Sequence, residues 1–183
     1  MRCAQDVAPV RAEPADDAEQ VTQLLRGEPV RVEGRLGEWV RIATAYEYPG
    51  WVRAEALEAG EGAVALGGVA TPLEAARRYL GTPYLWGGLT RAGIDCSGLV
   101  HMAYRAAGRL VPRDAHQQDE VAVEVSEPAA GDLVVYGSPV DHIAFWVGDG
   151  RILHATGRDG GVGVVEEAES AELRARRRRV VRL

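Results

Sequence analysis

Residues 84 to 108 read Tyr-Leu-Trp-Gly-Gly-Leu-Thr-Arg-Ala-Gly-Ile-Asp-Cys-Ser-Gly-Leu-Val-His-Met-Ala-Tyr-Arg-Ala-Ala-Gly. From Asp95 to Ala107 the apolar residues recur at helical spacing, and Gly108 follows as a C-cap. A helix is therefore predicted over 95–107, with Cys96 at its start. Downstream of Gly131 the pattern changes to strand-like runs: Leu133 to Tyr136, His142 to Val147, Arg151 to His154, Val162 to Val165, and finally Arg178 to Leu183. A helix followed by an antiparallel sheet is an α+β arrangement.

Upstream the chain reads differently. Between Val7 and Leu57, short apolar alternations such as Pro29-Val-Arg-Val-Glu, Glu38-Trp-Val-Arg-Ile and Gly50-Trp-Val-Arg are split by turn residues. Period-two patterning with frequent Gly and Pro is the signature of a small β-barrel or sandwich. The order of these segments resembles a bacterial SH3-like domain, which implies an N-terminal SH3-like β-barrel over 1–58 with Trp39 and Trp51 mainly in its core. Residues 59–70 are rich in Gly and Ala without periodicity and read as a linker. Thr71-Pro72 then forms an N-cap with Pro at the first helical position, opening a short helix from Leu73 to Leu80 that ends at Gly81. The second domain is thus expected over 71–183.

A net charge of -6 argues against nucleic acid as a partner, because phosphate binding wants a basic face. The run Arg176 to Arg179 is the exception and reads as a solvated strand or tail. No apolar stretch approaches the ~20 residues of a membrane span, and no signal-peptide core follows Met1. A cytoplasmic protein is expected if Met1 is the natural start, and an exported one if the chain has been trimmed. Two cysteines make no disulfide framework, and Cys3 reads as incidental in a mobile end. His101 and His116 complete no metal-ligand spacing and read as surface or packing residues; no metal or organic cofactor is expected.

Cysteine attacks as the thiolate, whose ordinary pKa of ~8.5 must fall for work at neutral pH. The start of a helix supplies the positive end of the dipole and free N–H groups, which favour a thiolate and can also hold an oxyanion. A histidine must then approach from elsewhere, oriented by a third group. His142 opens one strand and His154 ends the next, across the Gly148-Asp-Gly150 hairpin, so both can reach one face. Taken alone, Cys96 also fits a small buried hydrophobe and either histidine a structural role.

The motifs in order change that balance. Tyr84-x-Trp-Gly-Gly, Asp95-Cys-Ser-Gly-Leu-Val, Pro112-Arg113 with Gln117, Gly131-Asp-Leu-Val, Asp141-His-Ile-Ala and Ile152-Leu-His-Ala resemble the NlpC family, the papain-like p-sixty cysteine peptidases of bacterial walls. The resemblance covers residues 72 to about 165. It implies a papain-like catalytic domain, with the Cys-bearing helix packed on an antiparallel sheet. Cys96 would be the nucleophile, His142 the general base and His154 the third polar residue. Tyr84 would help bind the oxyanion or substrate, and Asp95 and Ser97 would line the substrate's amine end. Trp86 reads as core, close enough to Tyr84 to edge the cleft, and Trp146 as core.

The coupling to an SH3-like domain is similar to relatives that release L-Ala-γ-D-Glu from peptides with a free N-terminal L-Ala. By that likeness Glu13 and one of Tyr46 or Tyr48 would meet the substrate ammonium; Glu13 also fits an exposed loop acid beside Pro14. The expected partner is a peptidoglycan-derived peptide, and the chain is expected to be a monomer. Acyl transfer or another amide hydrolysis on the same scaffold, and a wall-binding module working through the SH3-like half, are the rival readings.

Overall fold

The computed structural model describes residues 1–69, 71–158 and 162–183; Ala70, the last residue of the expected linker, lies outside them. Two compact units divide the chain, Met1–Ala65 and Leu66–Leu183.

The first unit contains β1 (Arg2–Cys3), β2 (Val7–Arg11), β3 (Gln20–Leu25), β4 (Val30–Leu36), β5 (Trp39–Thr44), β6 (Pro49–Arg53) and β7 (Leu57–Glu58). Alternation sets which side chains turn inward: Ala8 and Val10 are buried on β2, and Val40 and Ile42 on β5 around an exposed Arg41. With Leu24 and Val52 they form the core. Gly50 makes close layering possible, since a Cβ there would lie 2.4 Å from the Val10 side chain. Trp39 is buried, with the Arg53 guanidinium 4.6 Å from the ring centre, while Trp51 is only half-buried.

Two expectations need correcting. The main sheet is open, ordered β3-β2-β6-β5-β4, and no ladder among the described residues joins β3 to β4. The reason lies in the N-terminal residues. The Val30 N–H donates to Met1 O at 3.0 Å, Cys3 N–H to Glu28 O at 2.9 Å and Gly27 N–H to Cys3 O at 2.9 Å, so β1 occupies the backbone groups linking the two edges. Cys3 is consequently not in a loose end: it is fully buried and paired with Leu57 of β7.

The second unit contains α1 (Pro72–Arg77), β8 (Leu89–Thr90), β9 (Gly93–Ile94), α2 (Cys96–Ala106), α3 (Ala115–Val121), β10 (Val123–Glu124), β11 (Leu133–Tyr136), β12 (His142–Gly148), β13 (Arg151–Thr156), β14 (Gly163–Ala168), α4 (Ala171–Arg176) and β15 (Arg177–Arg182). An antiparallel six-stranded sheet runs β10-β15-β11-β12-β13-β14. Leu99, Val100, Ala103 and Tyr104 of α2 pack with Ile143, Phe145 and Leu153 from one face of the sheet. Val134, Ala144, Ile152 and Val180 form a second cluster, joined by Leu173 of α4. The continuous apolar run of β11 thus reflects burial on both faces.

Thr71 caps α1 through a reciprocal box with Glu74. The helix ends at Arg77, short of the expected Leu80, because the N–H groups of Arg78, Tyr79 and Leu80 donate three residues back and tighten the chain into turns. Of the expected strand or tail, the Arg run forms strand: Arg176 ends α4, and Arg177 to Arg179 enter β15, where Arg177 pairs with Glu169 at 2.5 Å and Arg179 with Asp119 at 2.7 Å. No helix among the described residues is long and apolar enough to cross a membrane.

Candidate active site

Asp95 organises the start of α2. Its Oδ1 accepts the Gly98 N–H at 2.6 Å, capping the helix, and its Oδ2 accepts the Gly87 N–H at 2.7 Å, tying the 84–88 loop to that cap. Gly98 is obligatory for this approach, since a Cβ would sit 2.4 Å from Gly88 O. The negative cap is itself neutralised. Arg113, 1% exposed, donates to both Asp95 oxygens at 3.0 and 2.7 Å and to Ser97 Oγ at 3.0 Å. Asp95 and Ser97 therefore spend their polar atoms first on Arg113, whatever a substrate adds.

Cys96 follows as the first helical residue, 7% exposed. The backbone N–H groups of Ile143 and Ser97 favour the anion, as a helix start should. Burial outweighs them: with Asp95 adding to it, the thiol is pushed up to about 12 rather than down. The expected depressed thiol is thus replaced by a neutral one awaiting a base.

The expected base, His142, precedes Ile143 in sequence. His142 opens β12, and its Nε2 lies 2.8 Å from Nδ1 of His154 on β13, the rings 5.0 Å apart and nearly perpendicular. Burial, with His154 and Arg176 nearby, lowers His142 to about 3, so the imidazole is neutral at pH 7. The sequence did not reveal the next member: His154 Nε2 lies 3.1 Å from Oε1 of Glu167 on β14, and Glu167 is held by Arg158. A cavity of about 310 Å³, lined in part by Asp141, Thr156, Arg158 and Arg176, opens beside the two histidines.

Tyr84 is half-buried and bridges to Ile94, its ring against Gly157, where a Cβ would lie 3.0 Å away. Burial pushes its phenol up, with the charges of Cys96 and Asp95 adding to the effect. Tyr84, Asp95, Ser97, Cys96, His142 and His154 therefore come together in the second unit. Trp86 is corrected from core to surface: it sits in the turn closed by Gly88 N–H to Leu85 O at 3.0 Å and is 58% exposed. Trp146 is half-buried, with Arg177 5.2 Å from its ring centre. His116 is exposed, whereas His101 is fully buried, with Nδ1 2.8 Å from Val111 O. Glu13, Tyr46 and Tyr48 belong to the first unit. Glu13 is exposed there, and Tyr46 shares a hydrogen bond of 3.0 Å with Thr22 Oγ1. Among the described residues no group of His, Cys, Asp and Glu could hold a metal ion.

Arg113 and Glu167 left little trace in the sequence. Arg113 lies in a motif, but no spacing announces that it will be buried against Asp95. Glu167 is one of two consecutive acids on an edge strand, and only strand register gives it a face.

Comparison with known proteins adds a second line. Residues 81–180 match the NlpC/P60 family, and residues 10–57 match the bacterial dipeptidyl-peptidase Sh3 domain. The chain is 33% identical over 96 residues to a gamma-D-glutamyl-L-lysine dipeptidyl-peptidase of Bacillus cereus, covering 49% of this chain and 29% of that protein. It is 37% identical over 84 residues to the Bacillus subtilis protein of the same name, covering 42% and 28%. Less than a third of either relative is therefore spanned. A crystal structure of an NlpC/P60 family protein from Bacillus cereus superimposes over 99% of this chain and 62% of its own, with a TM-score of 0.57 at 20% identity, a likeness of fold.

Proposed function

The chain belongs to the NlpC/P60 family, and from that premise we propose that it is a cysteine peptidase cutting the γ-D-Glu–diamino acid bond of peptidoglycan-derived peptides with a free N-terminal L-Ala. One observation carries the chemistry. Cys96, at the start of α2, and Ile143, directly after His142, share one buried cluster, and the His142 ring is held at 2.8 Å by His154.

From this arrangement the steps follow. Cys96 attacks the γ-carbonyl as Nδ1 of His142 takes its proton. Backbone N–H groups at the helix start face the developing oxyanion, with Tyr84 beside them. His142 returns the proton to the leaving amine, and water resolves the thioester. Glu13, with Tyr46 or Tyr48, is assigned the substrate ammonium, a role favoured by the match of residues 10–57 to a dipeptidyl-peptidase Sh3 domain. The product would be L-Ala-γ-D-Glu, as in wall turnover or recycling.

The test is to incubate the protein under reducing conditions with L-Ala-γ-D-Glu-diaminopimelate, free and N-acetylated, and weigh the products. Cleavage of the free peptide alone is expected. Cleavage of both would keep the peptidase and discard amine recognition; cleavage of neither would remove this substrate.

A further inference from the structure

Two neutral histidines in contact can share their hydrogen bond in either direction. With Nε2 of His142 2.8 Å from Nδ1 of His154, either nitrogen can donate, and the two arrangements differ in what they leave behind. If His142 donates, its Nδ1 carries a lone pair and can act as a base. If His154 donates, the proton of His142 sits on Nδ1 and the base is lost. The pair alone does not choose.

Glu167 breaks the tie. It lies on β14 opposite Ile152, diagonal to His154 and on the same face of the sheet. Arg158 grips it with two parallel bonds of 2.6 Å, one to each oxygen, and so holds the carboxyl below its ordinary range. An ionised carboxylate only accepts. Burial keeps His154 neutral at pH 7, so it has a single proton. At 3.1 Å from Glu167 Oε1 that proton must be on Nε2, which leaves Nδ1 of His154 as an acceptor. His142 is then obliged to donate through Nε2.

We propose that Glu167, clamped by Arg158, is a positioning residue that sets the proton of His154 on Nε2 and so keeps Nδ1 of His142 unprotonated to receive the Cys96 proton. The inference rests on Cys96 and His142 being the reacting pair. In the step it supports, the S–H bond breaks as the S–C bond forms, the thiol proton passes to Nδ1, and the carbonyl electron pair moves onto oxygen. His142 becomes an imidazolium whose Nε2–H still points at His154, with the Glu167 charge one ring further on.

Proton positions can be read without any substrate. In protein labelled with ¹⁵N-histidine, long-range nitrogen–proton spectra at pH 7.5 should give both His142 and His154 as Nε2–H forms. In Glu167→Leu the two rings should become a mixture of tautomers. Turnover of a cleaved peptide should then fall through kcat with KM unchanged. The loss should be between about tenfold and the ~10⁴-fold that a mis-set tautomer costs a Ser-His-Asp triad. Wild-type spectra with His142 protonated on Nδ1 would overturn the proposal, and that result needs no variant to fold. So would a Glu167→Leu protein that keeps the wild-type spectrum. If no peptide is cut while the spectra come out as expected, the substrate assignment fails and the positioning role stands.

Discussion

Burial acts in opposite directions on the two groups proposed to react, raising the Cys96 thiol to about 12 and lowering His142 to about 3, and both end neutral. The energy of separating charge is thus deferred to the moment of attack, when the Ile143 and Ser97 amides favour the thiolate. Cys96→Ala should abolish turnover and leave the melting curve in place, checked by product analysis and calorimetry on the same sample; residual turnover would remove Cys96 as nucleophile. Stability should also carry the signature of buried neutral rings. His142 titrates near 3 and His101 near 4 in the folded chain, against ~6.5 when unfolded. Between those values the unfolded chain binds more protons, so stability falls as pH is lowered from 6.5. Each ring contributes about 1.4 kcal/mol per pH unit. Asp132, Glu167 and Glu169, held below 4.5, join with the same sign only at lower pH. Urea midpoints at pH 6.5 and 5 should show a shallower slope for His142→Gln than for the natural chain, and equal slopes would mean that the native ring takes up protons. At this scale the juxtaposition of His142 and His154, and the place of Cys96 at a helix start, were legible because each sits in a recognisable motif. Arg113 and Glu167 were not, since a charged residue declares its burial only once its partner is folded against it.

The N-terminus of α2 depends on a charge cluster as much as on its apolar face. Asp95 caps the helix, anchors Gly87 and is met by Arg113, and all of this is buried. Removing one partner of such a pair leaves an uncompensated buried charge, a loss of about 3–5 kcal/mol. Arg113→Ala should accordingly lower the unfolding free energy from urea titration by that amount and release the 84–88 loop, visible as faster amide exchange at Gly87 and Gly98. Unchanged exchange would show that the cap holds without the arginine. Helix α2 and the strands β11 to β13 were legible from periodicity, because one continuous core reads out each face. Two element-level details share a cause. The open edge of the SH3-like sheet and the early end of α1 were both decided by where backbone N–H and C=O groups find partners: β1 takes those near β3 and β4, and the residues after Arg77 bond three positions back. Side-chain patterning carries no record of that competition.

At the scale of the whole molecule each unit owns a core, Ala8, Val10, Leu24 and Ile42 in one, Leu99, Phe145 and Leu153 in the other. The proposed reacting pair and its supports all lie in the second unit, and selection is the part proposed for the first. The proposal that it reads the substrate ammonium has a kinetic consequence. A hydrogen bond to a charged group contributes about 1.5–3 kcal/mol, which corresponds to roughly 10- to 150-fold in affinity. Glu13→Gln should lose that factor in kcat/KM for the free peptide through KM, with kcat held, because the carboxylate meets an amine remote from the scissile bond and contacts ground and transition states alike. The same substitution should leave hydrolysis of the N-acetylated peptide unchanged, since that peptide has no ammonium to lose. Tyr46→Phe and Tyr48→Phe, measured the same way, identify which hydroxyl accompanies the acid. Discrimination against the acetylated peptide that survives Glu13→Gln would move ammonium recognition wholly into the second unit, where a new acidic contact would have to be found.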